Sequence, residues 1–390
     1  MRPYESSHPW ITFRFDLDRL SHRAWRLLGE AESKCEHLAG VPLRPEVARR
    51  LHQIYLTKGV HGTTSIEGNT LSEAEVLARV EGDLPLPPSR AYLGIEIDNV
   101  VAACNRIVTE VVSGENCQVS VEQIQQFNKD ILSGLPVGDD VHPGELRTHS
   151  VVVFNYRGAP AEDCSYLLDR LSKWLERDFV DPTATSEYRY SLAIIKAILA
   201  HLYLAWIHPF GDGNGRTARL LEFKLLVAAG LPIPAAHLLS DHYNRTRDRY
   251  YQVLARTSRG KFPAEEFVEY ALQGLVDELR EQIDEVRRQQ LQVTWENFIH
   301  DVFRDKDTAA KRRQKYLMLD LPDTFYPIVK IRDVSTRVAV AYAGKQQKTI
   351  TRDLNELAKM ELIKRTRREV RPHRELIQAF LPVRATPREA

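Results

Sequence analysis

The stretch HPFGDGNGRTAR, His208 to Arg219, decides how the rest of the chain is read. Before it runs SLAIIKAILAHLYLAWI, Ser191 to Ile207, whose length and apolar spacing predict a buried helix. Pro209 cannot continue that helix, and Gly211, Gly213 and Gly215 permit backbone angles closed to other residues. From Asn214 a helical pattern resumes and stops at Gly230, with Pro232 beyond it. The predicted layout is helix, tight loop, helix. Unpaired N–H groups and the positive dipole end at the start of the second helix make an anion site suited to phosphate. Arg216 and Arg219, three apart on its first turn, are predicted to face the same point. Asp212 offers a hard oxygen suited to Mg²⁺ bridging phosphates. His208 can be neutral at physiological pH and accept a proton. Its place at a helix C-terminus predicts a raised pKa, because the dipole there favours the imidazolium. These residue types outline a phosphoryl- or nucleotidyl-transfer site.

A glycine-rich loop, or one histidine at a helix end, is usually structural. The joint pattern says more, and it resembles the signature of the Fic family, HPFx(D/E)GNGRxxR, with no defined position departing from it. The resemblance implies a Fic-fold helical core and transfer of AMP from ATP to a hydroxyl of a target protein. It implies ATP phosphates over the Gly213–Gly215 amides in the loop opened by Gly211, Mg²⁺ on Asp212, and the α-phosphate on Asn214. Arg216 and Arg219 would take the β- and γ-phosphates, with His208 as base. Gly215 matters because relatives that phosphorylate tend to carry Lys there. Upstream, Thr63, Glu67 and Gly68 fit the family's inhibitory motif, (S/T)xxxE(G/N), which implies a lock in which Glu67 pairs with Arg219.

Helical spacing predicts helices over about 17–38 and 44–56, then a capping box at Thr70–Glu73 opening another. Further helices are expected from the Pro-rich LPLPPSRA to Val112, from Ser120 to Leu132, and over about 163–178. In the segment GELRTHSVVVFNYRGAP, Val151, Val152, Val153 and Phe154 read as a strand and Asn155–Gly158 as a turn. The resemblance implies that this is a β-hairpin flap, which docks the target's main chain by strand addition. Tyr243, Asn244 and Tyr251, beyond the signature, correspond to family positions beside the adenine base, although Tyr251 serves equally as core. A charged helix over about 264–303 reads as a connector.

The last third is basic. From Lys311 to Arg374, 17 Lys/Arg face 7 Asp/Glu, a local charge of +10 that leaves −9 on the rest of a chain with net charge +1. The pattern there resembles a winged helix, with helices over 335–343 and 348–360 and a strand over 362–367 leading into a basic wing. Real nucleic-acid contact is one reading of that face, and a merely solvated face is the other. The expected fold class is therefore mainly α: a Fic-fold core with a small hairpin flap, plus a C-terminal winged-helix domain. Its regions are 1–89 (helical, with the inhibitory segment), 90–290 (catalytic) and 305–385 (winged helix). Partners to consider are the target hydroxyl, a second copy of the chain as a homodimer, and DNA.

Cys35, Cys104, Cys117 and Cys164 are too scattered for a CxxC motif, and reduced, buried thiols in a cytoplasmic protein are expected. The first twenty residues carry acids and no apolar signal core, and no uncharged stretch reaches membrane-span length, so no membrane is expected. Rival functions are a nucleotide-sensing DNA-binding regulator, UMP or phosphocholine transfer, and removal of AMP with Glu67 positioning water.

Overall fold

The computed structural model describes residues 2–82, 84–115, 118–153, 156–179, 189–259, 263–305 and 308–378. It divides into two compact units, Met1–Asp284 and Glu285–Ala390. The N-terminal helical region and the catalytic region expected from sequence therefore share the first unit.

That unit is built on α8, Arg189–Ile207, the helix expected before the signature loop. Ile194, Ile195, Ile198, Leu199, Leu202 and Ile207 are fully buried, because a helix apolar on every face needs neighbours on every face. α2 (His22–Gly40), α7 (Cys164–Lys173) and α9 (Asn214–Ala228) supply them. The sequence reading excluded only uncharged stretches of membrane length, and Tyr190–Ile207 carries Lys196. Yet Tyr190–Ile207 is long and apolar enough by length and composition, and 72% of that window is buried inside the protein. α5 (Ala91–Val112) and α6 (Val121–Ile131) pack on α9 from the other side.

α3 runs Pro45–Ile66, ten residues beyond the predicted end at Leu56. Gly59 and Gly62 look like breakers in sequence. In the fold they are spacers that let α3 lie directly on α10 (Ile233–Ala236) and α11 (Leu238–Arg245). A Cβ on Gly62 would stand 2.5 Å from the Ser240 carbonyl oxygen, and one on Gly59 would stand 2.5 Å from His237 Nδ1. The helix ends in a Schellman motif. Asn69 N–H donates to the Thr64 carbonyl (3.1 Å) and Gly68 N–H to that of Ser65 (3.1 Å), with Gly68 at φ +103°. α4 (Glu73–Val80) follows, and its capping box is Ser72 with Glu75, two residues later than expected, because Asn69 still belongs to the α3 terminus.

After α6, Val152–Val153 (β1) pairs antiparallel with Tyr156–Arg157 (β2). Beyond the signature helix, α11 is separated at Thr246 from α12, Arg247–Thr257. α13 is a 40-residue helix, Pro263–Val302. Cys35, Cys104 and Cys164 are free and buried, and Cys117 lies outside the described residues.

The second unit contains α14 (Ala309–Asp320), β3 (Tyr326–Pro327), α15 (Thr336–Ala341), α16 (Gln347–Lys359), β4 (Ile363–Arg365) and β5 (Glu369–Pro372). Its strands form an antiparallel sheet in the order β3-β5-β4. Leu317, Met318, Leu354, Leu357 and Val370 form its core. Buried Asp353 orients α16, taking Arg313 Nε at 3.0 Å and the Tyr342 hydroxyl at 3.2 Å. Lys348, Arg352 and Lys359 are on its exposed face, and Arg367 and Arg368 on the turn between β4 and β5.

The Gly62 contact gives a direct stability test. Gly62→Ala meets backbone rather than a flexible side-chain end, so it should cost about 1–3 kcal/mol as an overpacked core does. Gly68→Ala adds strain at positive φ but no collision. Denaturant unfolding compares them, and equal stability of Gly62→Ala and the parent would mean that α3 does not need this close approach.

Candidate active site

The signature loop joins α8 to α9 and opens onto a cavity of about 480 Å³. Its walls include His208, Gly211, Asp212, Gly213, Asn214, Gly215 and Arg219 from the loop and α9, Glu67 from the end of α3, and Tyr251. Val151 and Val152 of the hairpin also line it. Phe154 lies outside the described residues, and only the backbone of Val153 is described.

His208 leaves α8 with φ +50°, a left-handed conformation that costs a non-glycine residue free energy and needs outside support. Arg147, which the sequence reading passed over, supplies it. Its Nε donates to the His208 carbonyl (2.7 Å), its Nη1 to that of His149 (2.6 Å) and its Nη2 to that of Ala159, while its own N–H donates to the Pro209 carbonyl (3.0 Å). The guanidinium thus absorbs the carbonyls at the end of α8. This reverses the expected pKa of His208. Burial foremost, then the Arg147 charge, push it down to about 4, outweighing the Ala205 carbonyl, Glu67 and Asp212. The dipole argument fails here because burial disfavours the imidazolium and, after it, the Arg147 charge covers the partial negative end of the helix.

The three loop glycines serve different ends. Only Gly213 has a positive φ, +76°, as the N-cap of α9. At Gly211 and Gly215 the need is room. A Cβ on Gly211 would meet Val141 at 3.0 Å, and one on Gly215 would overlap Glu67 Oε1. Asn214 folds the loop, accepting from Phe210 N–H (2.9 Å) and donating back to the Phe210 carbonyl (2.8 Å). These bonds use one of its two amide N–H groups, and Asn214 also lines the cavity. Buried Asn128 braces the loop from α6, donating to the Asp212 carbonyl at 2.9 Å. Asp212 keeps a half-exposed carboxylate at the cavity; its Oδ1 accepts from Gly213 N–H (2.5 Å) and Arg216 (3.3 Å).

The two arginines part company. Arg216 gives Nη1 to Glu96 Oε1 at 2.6 Å, and the other Glu96 oxygen accepts from the Asn69 side chain at 2.8 Å. It is buried in a chain running from the α3 terminus to the loop, and among the described residues it does not line the cavity. The expectation that both arginines face one point fails because Glu96, 120 positions away, claims Arg216. Arg219 does face the cavity. Its Nε donates to Thr63 Oγ1 (2.6 Å), and its Nη2 to the Thr63 carbonyl (3.0 Å) and to Glu67 Oε1 (2.6 Å). Among the described residues its buried Nη1 has no hydrogen-bond partner. For Glu67 the largest influence is burial, which would raise its pKa. The Arg219 charge and hydrogen bond, with Arg216 and His208, outweigh burial and hold the carboxyl below its ordinary value.

Two expected adenine contacts stand elsewhere. Tyr243 is fully buried with its hydroxyl on Glu222 (2.9 Å), and Glu222 faces His201, whose ring meets the Tyr250 hydroxyl at 2.9 Å. Neither Tyr243 nor Asn244 lines the cavity, whereas Tyr250 and Tyr251 do.

Residues 118–226 match the family model described as the Fic/DOC family. Over those residues the chain is similar to that family. It is 31% identical over 173 residues to the protein adenylyltransferase fic-1 of Caenorhabditis briggsae, covering 44% of this chain and 32% of that one. For the fic-1 of Caenorhabditis elegans the figures are 27% over 216 residues, 55% and 39%. For the adenylyltransferase Fic of Drosophila ananassae they are 28% over 239 residues, 60% and 44%. The chain thus spans less than half the length of these relatives. The fold is that of a Fic family protein from Desulfovibrio desulfuricans (TM-score 0.56, 21% identity, 90% of this chain and 96% of that one). It is likewise that of C. elegans Fic-1 (TM-score 0.55, 24% identity, 68% and 73%).

The His208 environment can be tested without any substrate. The ring should remain neutral as pH falls until about 4, well below the ordinary 6.5. An NMR titration of ring-labelled histidine, assigned through His208→Ala, would show the midpoint. A midpoint at or above 6.5 would restore the dipole argument and discount the Arg147 clamp.

Proposed function

We propose that the chain transfers AMP from ATP to a Ser, Thr or Tyr hydroxyl of a protein, and that Glu67 restrains the transfer by occupying Arg219. The observation that carries this reading is the 2.6 Å Glu67–Arg219 contact inside the cavity lined by His208. A carboxylate there sits over Gly215, beside the first turn of α9, where a helix N-terminus favours an anion. Carboxylate and phosphate oxygens both match the guanidinium fork, so the two compete for Arg219.

In the reaction, the acceptor hydroxyl oxygen bonds to the α-phosphorus while the bond from that phosphorus to the α,β-bridging oxygen breaks. Pyrophosphate leaves, and the hydroxyl proton passes to His208. A neutral imidazole has one N–H and one lone pair, and the nitrogen bearing the lone pair is the base. Asp212 is one half-exposed carboxylate, and Mg²⁺ characteristically takes one or two carboxylates with substrate phosphates, so this residue fits the ion. Bound there, Mg²⁺ would neutralise charge on the phosphate oxygens. Arg219 grips the terminal phosphate, whereas Arg216 holds the loop through Glu96. Catalysis on this scheme is chiefly positioning and charge stabilisation.

Label incorporation from ATP tests the scheme, using wild type, Glu67→Gly, Arg219→Ala and the double variant at equal folded concentration. Glu67→Gly should incorporate more than wild type. Arg219→Ala should incorporate less, and the double variant should match it, on the order of 10²-fold below Glu67→Gly, the usual cost of losing a charge-stabilising donor. Equal incorporation by wild type and Glu67→Gly would remove the lock. Label from UTP or CDP-choline in place of ATP would overturn the adenylyl assignment.

A further inference from the structure

The hairpin beside the cavity is held from behind by the start of the chain. Val151 and Gly158 form a hydrogen-bonded pair, with Gly158 N–H donating to the Val151 carbonyl at 3.1 Å. The next pair, Val152 with Arg157, is therefore a non-hydrogen-bonded one, and its backbone groups point outward on opposite edges. On the β2 edge the Arg157 carbonyl meets His8 Nε2 at 2.9 Å. A carbonyl can only accept, so the ring nitrogen donates. On the β1 edge Val152 is 58% exposed.

The rest of residues 2–13 makes this contact firm. Tyr4 N–H donates to buried Asp163 at 2.8 Å, and Arg2 reaches the same carboxylate at 3.2 Å. The His8 ring stands edge-on to Tyr156 (centroids 6.0 Å apart, 88°), and Trp10 lies 6.4 Å from that ring. Phe13 stacks on Tyr203 of α8. On its other side Tyr156 donates its hydroxyl to the Trp206 carbonyl at 2.7 Å, two residues before His208, and it lines the cavity. β2 is thus clasped between the end of α8 and the N-terminal segment.

We infer that residues 2–13 are a positioning strap for the protein acceptor. His8 and Trp10 fix β2 so that the open β1 edge at Val152 presents an incoming strand at a set distance from His208. The strap governs use of the acceptor and leaves ATP binding alone, since none of its residues lines the cavity. This rests on the transfer reading above. Strand addition supplies affinity through main-chain hydrogen bonds, so an edge free to shift loses registered bonds before it loses fold.

The test uses the full chain in a Glu67→Gly background, which on the transfer reading also modifies copies of itself, with the silent His208→Ala chain as acceptor at varied concentration. His8→Ala should raise KM for the acceptor about ten-fold, the worth of one or two hydrogen bonds, while KM for ATP holds. His8→Gln, whose amide nitrogen stands where Nε2 did and can still donate to the Arg157 carbonyl, should recover most of the loss. An unchanged acceptor KM, or an ATP KM rising in parallel, would overturn the strap. Hydrogen exchange of the peptide spanning 150–158 gives a second readout independent of chemistry. It should quicken in His8→Ala and return with His8→Gln, and equal exchange in all three chains would also overturn the strap. No label with intact His8 would instead count against the transfer reading, and exchange would still decide the strap.

Discussion

The Arg219 guanidinium is a full charge in a buried place, and the site is arranged around satisfying it. Burying a charge is costly unless it is paired and hydrogen-bonded, and removing one partner of such a pair leaves the other uncompensated. Here Thr63 and Glu67 do the pairing from the last turn and C-cap of α3. α3 must therefore sit close, which Gly59 and Gly62 permit, and must end abruptly, which the Schellman turn at Gly68 achieves. Gly215 leaves the volume that the carboxylate fills. A phosphate meeting the same guanidinium would need the same volume and the same charge.

A second constraint, the positive φ at His208, depends on Arg147. Carbonyls at the end of α8 that would otherwise draw positive charge onto the imidazole are occupied by a guanidinium. Burial first, and the Arg147 charge second, keep the ring neutral and able to take a proton. Arg216, Glu96 and Asn69 connect the loop to the α3 terminus, so lock and loop share one buried polar chain.

How much of this was legible in sequence depended on range. The helix–loop–helix around His208, the N-cap at Ser120 and the long helix over 263–302 follow from local spacing and capping, and they stand where spacing put them. The Thr63–Glu67–Gly68 segment was legible as a motif but not as the end of a helix, because Gly59 and Gly62 look like breakers until Ser240 and His237 are seen against them. Arg147 sits in an unremarkable GELRT stretch, and its partners lie 2 to 62 positions away. The separation of Arg216 from Arg219 could not be read from an i, i+3 interval, since Glu96 decides it from another helix. Tyr243 was read as a base contact, but its hydroxyl is satisfied by Glu222 in the core. The common cause is that a polar side chain's partner is set by tertiary contact, which local pattern does not encode.

If one guanidinium serves both the lock and the nucleotide, its position should switch when the lock is removed. The decisive measurement is a crystal structure of Glu67→Gly with α,β-methylene ATP and Mg²⁺, set beside the wild-type chain under the same conditions. Arg219 should bond the terminal phosphate in the variant, with the α-phosphorus facing His208, and should remain on Glu67 in the wild type. A terminal phosphate bound away from Arg219 in the variant, or bound to it in the wild type with the Glu67 contact intact, would contradict a shared guanidinium.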